Sequence, residues 1–117
     1  MKTNTLTKSE LEIQFQTADF ALKTQQQIAK DFYSSGLYFE SSFENDELSY
    51  TNIISAIQEK IEEIIQQGER QLLQLLYQID IPQNQFLELV NQVDFSLKLS
   101  ELILQREAYK VFLRSKF

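Results

Sequence analysis

Apolar positions along this chain recur at three- and four-residue spacings, the period of one face of an α-helix. The clearest run is Ile54, Ile57, Ile61, Ile64 and Ile65, resumed beyond Gly68 by Leu72, Leu75, Leu76 and Ile79. Ser49 or Thr51 is placed to cap it. Unbroken, residues 51–79 would extend about 43 Å at 1.5 Å per residue. Glycine inside a helix costs about 1 kcal/mol relative to alanine, so Gly68 either bends one long helix or separates two.

Upstream, Leu11, Phe15, Ala18, Leu22, Ala29 and Phe32 describe a second helical stripe, with Ser9 and Glu12 spaced as a capping box. Leu11–Gln16 also alternates strictly, as a short strand would. Helix is favoured because the stripe continues beyond it and a lone strand has no partner. Gly36 is a stop signal. Residues 34–49 follow neither period and carry Leu37, Tyr38, Phe39 and Phe43 ahead of the acidic run Glu44-Asn45-Asp46-Glu47. Downstream, Asp80-Ile81-Pro82 marks a turn, with Asp80 positioned to cap the amides that follow. A short helix over about 83–92 is expected to bury Phe86, Leu87 and Val90. Asp94 then opens a last helix to about Arg114, with a stripe of Leu99, Leu102, Ile103, Tyr109 or Lys110, and Leu113. The expected fold is all-α: a compact bundle of four to five helices, with an irregular aromatic-rich segment at about 34–49. Residues 1–8 form a flexible terminus and 9–117 a single domain.

Composition narrows the chemistry. A chain of 117 residues buries roughly two-thirds of the surface its unfolded form exposes, enough for a core without staples. Two glycines and one proline are too few for the turns of a many-stranded protein. There is no cysteine and no histidine, which removes thiol chemistry and the commonest general base and metal ligand. Glutamines scattered among the apolar positions read as a solvated helical face, and Gln25-Gln26-Gln27 is too short for a prion-like tract. Met1–Lys8 is followed by no apolar h-region and no run is long enough to span a bilayer, so a cytoplasmic, soluble protein is expected. A net charge of −6 disfavours nucleic acid and anionic membrane as partners.

Few constellations compete with a purely structural reading. Glu59, Glu62 and Glu63 lie within one turn but flank the apolar stripe, and carboxylate di-metal bundles need inward histidines; a solvated face is expected. Asp46 lacks the glycine and spacing of a calcium loop. No Gly-x-Ser-x-Gly turn or phosphate loop is present. Neither metal nor cofactor is expected, and no enzyme. Arg106, Lys110 and Arg114, at i, i+4 and i+8, form a basic stripe that pairs more simply with Glu107 and the glutamates of 51–69 than with phosphates. Tyr33, Leu37, Tyr38, Phe39 and Phe43 form the candidate interaction surface, because aromatics anchor interfaces; the same cluster also reads as a lid on the core.

Leu72–Ile81 together with Leu99–Glu107 resembles a pattern in small uncharacterised helical bacterial proteins, over about the C-terminal half. That resemblance implies a cytosolic bacterial protein and no site residues. At the corner near Tyr77 and Asp80, Arg106 and Glu107 are expected to tie the last helix down as a structural ion pair. The function expected is a non-enzymatic protein-interaction or assembly module, binding a protein partner or itself as a homodimer. The alternative is a small acidic regulator or inhibitor, of immunity type, that masks a basic partner.

Overall fold

In the computed structural model, which describes residues 9–10 and 18–116, six helices run through the second stretch: α1 (Ala18–Ser34), α2 (Ser41–Asn45), α3 (Tyr50–Gln67), α4 (Glu69–Ile79), α5 (Gln83–Leu89) and α6 (Phe95–Lys116). No strand occurs among the described residues. The expected flexible terminus 1–8, the Leu11–Gln16 alternation and the partner Glu12 of the capping box lie outside them. The fold is an all-α bundle. α6 lies against α1 on one side and α3 on another, while α4 packs on α1 and α3.

Local chemistry explains most boundaries. Ser49 caps α3 through its hydroxyl, which accepts from the Asn52 amide at 3.2 Å. Gly68 breaks the central run into two helices, with φ +136°, a conformation that side chains other than glycine's resist. The longest dimension of the molecule is 38 Å, shorter than the unbroken helix would need. α1 ends in a Schellman motif: the Leu37 amide donates to the Phe32 carbonyl and Gly36 to Tyr33, both at 2.9 Å, with Gly36 at φ +84°. α4 ends the same way, through Ile81 to Leu76 and Asp80 to Tyr77. Here Asp80 takes the left-handed position at φ 72°, which aspartate tolerates better than most residues. This corrects the expectation that Asp80 opens the next helix. Pro82 does so, without a side-chain cap.

The core is continuous: Ile28, Phe32, Ile53, Ile57, Ile61, Ile64, Leu75, Ile79, Leu99, Ile103 and Leu104 are fully buried in it. α1 and α6 are buried well beyond one stripe. In α6, Leu104, Glu107, Ala108 and Val111 join Leu99 and Ile103 inside, whereas Leu113 is exposed. A helix flanked on several sides loses amphipathicity, which is why its stripe is misleading. α1 buries Thr24, Gln25, Gln27 and Asp31, so two of its three glutamines are not on a solvated face; Gln26 is exposed. Two further expectations fail: Ile65 lies exposed at the edge of the isoleucine face, and α5 buries none of its residues.

Candidate functional site

The aromatic segment divides between core and surface. Leu37 and Phe43 are buried, Phe39 is half-buried, and Tyr33 and Tyr38 are 63% and 62% exposed. Phe39 stacks on Phe43 with centroids 4.1 Å apart and tilts against Phe32 at 5.1 Å. Lys60 Nζ lies 5.7 Å from the Phe39 centroid, within cation–π range. Outside this stack, Tyr33 and Tyr38 pair edge to face at 5.0 Å. Of the five expected surface residues, Leu37 and Phe43 therefore cannot meet a partner without unfolding the lid they form.

One buried glutamine holds that lid. Gln25 Nε2 donates to the carbonyls of Phe43 and Asp46, both at 2.7 Å, and its Oε1 accepts from the Leu48 amide at 3.0 Å. Gln26 adds a bond to the Glu44 carbonyl at 3.2 Å. Backbone groups beyond the short α2 have no sheet or long helix to satisfy them, so a side-chain amide substitutes for a backbone partner.

The basic stripe of α6 is mostly consumed by the fold. Arg106 pairs with Asp80 at 3.0 Å, which joins α6 to the corner where it was expected. Glu107 does not share that tie. It faces α1, where Lys110 Nζ lies 2.9 Å from Asp31 and 3.2 Å from Glu107, and Gln27 donates to Asp31 at 3.1 Å. None of these partners is a glutamate of 51–69, and Arg114 is left exposed on the surface. Burial pushes the Glu107 carboxyl well above its ordinary value, reinforced by its hydrogen bond to Asp31 and by that residue's charge; Lys110 opposes the shift. Lys110 approaches the Glu107 carboxyl at 3.2 Å, but neither carboxyl oxygen makes a well-aligned hydrogen bond. Burial lowers the Lys110 ammonium, but the charges of Glu107 and Asp31 outweigh it and the net shift is upward.

A second surface feature was not anticipated as such. Ile65, Leu72, Phe86, Leu87, Val90 and Phe95 line an open groove of about 400 Å³ where the α3–α4 break faces α5 and the start of α6. Phe86 meets Phe95 edge to face at 5.8 Å and floors it. Leu87 is 55% exposed, Val90 and Ile65 are each 41% exposed, and Val93 stands wholly in solvent. The apolar density at 86–95 reads in the sequence as core, whereas the structure leaves Leu87 and Val90 at the surface. Two acids lie at the groove: Glu69 is part of its lining, and Glu62 accepts from Ser96, next to Phe95, at 3.1 Å. Glu88 instead lines a separate hollow with Lys98.

Among the described residues no group of three or more aspartates, glutamates, histidines or cysteines is arranged to hold a metal, and no helix is long and apolar enough to cross a membrane. Glu59, Glu62 and Glu63 point to solvent, with Glu63 3.7 Å from Lys60. Comparison with protein families, curated proteins and solved structures finds no match to the chain.

Proposed function

We propose that this chain is a non-enzymatic protein-interaction module whose contact face is the apolar groove beside α5. The observation that carries this is the contiguous exposure of Ile65, Leu87 and Val90 over the Phe86–Phe95 floor. Clustered apolar surface rimmed by polar groups marks interaction sites in chains of this size. The absence of histidine and cysteine from the whole sequence fits a role in binding rather than chemistry. The Tyr33–Tyr38 pair is a secondary surface: two exposed rings set apart from the groove by the buried lid.

Affinity capture with the wild type, a Leu87→Ser/Val90→Ser variant and a Tyr33→Ser/Tyr38→Ser variant discriminates between the two faces. A specific partner lost only with the first variant supports the groove. Loss only with the second transfers the function to the tyrosine edge and ends this proposal.

A second reading, an acidic regulator that masks a basic protein, is supported by the −6 net charge and the acids beside the groove. It predicts binding that falls steeply between low and physiological salt, because exposed charges are screened over about 8–10 Å.

A further inference from the structure

We infer that the groove takes an amphipathic helix from a partner protein, with lysines or arginines flanking the apolar stripe of that helix. The inference rests on the interaction reading above and gives the partner its chemistry.

Three features of the groove select this occupant. Its volume of about 400 Å³ and its aromatic floor suit a few large side chains presented in a row, as a helix presents i, i+3 or i+4, and i+7. Its lining is apolar and the described residues carry no sheet edge. An extended peptide laid there would leave its own amides unpaired, whereas a helix satisfies its backbone internally. Its margin is acidic. Glu69 lines it and Glu62 sits at its Phe95 end, where it accepts from Ser96, against Arg70 beside Glu69 and Lys98 further along α6.

Charge also argues against a second copy of this chain. A two-fold contact through the groove would bring Glu62 and Glu69 toward the same acids of the other copy, and like charges across an interface oppose association. A stable dimer further needs roughly 800 Å² from each partner, more than a few partly exposed side chains supply. The seam that flanks the groove is suited to adjust to a guest. α5 is seven residues long, lacks a side-chain cap and holds to the bundle through the half-buried Phe86 and Leu89, so its attachment rests on those two side chains.

Fluorescence anisotropy on the full chain tests this with two helical probes of roughly 18 residues, long enough to hold a helix. Both carry leucines at i, i+3, i+4 and i+7; one has lysines on its flanks, the other glutamates. The lysine probe is expected to bind at least ~10-fold tighter at low salt, with the gap closing in about 0.5 M salt. Leu87→Ser/Val90→Ser should weaken it ~10-fold or more, and Glu62→Gln/Glu69→Gln should reduce the preference for lysine. Circular dichroism verifies that the variants stay helical, and all four sites are exposed enough to tolerate the changes. Equal binding of both probes, abolished by Leu87→Ser/Val90→Ser, would overturn the basic chemistry and leave the groove as the interaction site. Lysine-probe binding indifferent to Leu87→Ser/Val90→Ser would overturn both. A dimer seen by light scattering and dissolved by Leu87→Ser/Val90→Ser would make the second copy the occupant, also overturning the inference.

Discussion

Residues 35–49 and 80–94 are two seams of the same kind with opposite fates. Each joins two longer helices, each contains one short helix, and each is rich in large apolar side chains. In the first, Leu37 and Phe43 enter the core and Phe39 stacks over them; in the second, Leu87, Val90 and Val93 remain at the surface. Hydrophobicity does not distinguish them. The difference is a polar anchor: Gln25 satisfies three backbone groups between Phe43 and Leu48, and with those groups paired the segment can lie flat on the bundle. Across 80–94 Gln92 bonds locally to the Glu88 carbonyl, and the Arg106 tie from α6 meets the Asp80 side chain at the start of the seam, not its backbone. Burying apolar residues in a connection thus depends first on where its amides and carbonyls go.

The contrast can be broken most forcefully at its rings. Phe43→Ala should cost about 3–5 kcal/mol in denaturant unfolding, as buried Phe truncations do. A loss below about 1 kcal/mol would mean that the lid is not part of the core.

Next in size is the anchor. Gln25→Leu retains volume but strands two carbonyls and an amide, and each buried unsatisfied group costs about 1–3 kcal/mol. Since part of this backbone reaches water, a loss of about 2–3 kcal/mol is expected. Hydrogen exchange should quicken at the Leu48 amide and stay unchanged in α5; equal quickening in both seams would refute the anchor.

A third test sharpens the tied side by pH. The folded-state value of Glu107 lies above the unfolded value near 4.5, so between the two the native state holds the extra proton. Stability from this group is full below about pH 4.5 and is lost as pH rises through the folded value. Each pH unit in that window removes up to about 1.4 kcal/mol. Glu107→Gln should flatten the profile there and raise stability at the upper end of the window; an unchanged slope would place the titration elsewhere.

The smallest effect belongs to the open seam. Leu87→Ser and Val90→Ser should each shift stability by no more than about 0.5 kcal/mol, while altering binding. Thermal melts that move as far as those of Phe43→Ala would show that the open seam is core after all.

Much of the helical layout was legible in the residues. Ser49 caps where its position says, Gly36 stops α1, and Leu72, Leu75, Leu76 and Ile79 bury as their spacing requires. These signals are local, so neighbours in sequence suffice to read them. The Arg106 tie to the Asp80 corner was likewise visible, because a charged residue continuing an apolar face must find a partner. The site was legible only in part. Tyr33 and Tyr38 are exposed as an interaction surface demands, but Leu37 and Phe43 are not. The groove was concealed because Phe86, Leu87 and Val90 have the composition of a core segment.

By itself, then, the sequence determined the longer helices, most of their ends and the apolar faces of α3 and α4, since capping and 3.6-residue periodicity act within a few residues. The five-residue α2, inside the stretch that reads as irregular, was not among those helices. Only the tertiary structure decided which polar residues of α1 go inside, which aromatic residues become core, and that Glu107 meets Asp31 and Lys110 while Arg106 meets Asp80. Those outcomes depend on contacts between residues as much as 79 positions apart, where geometry across the bundle, and not local preference, sets which groups lose water together.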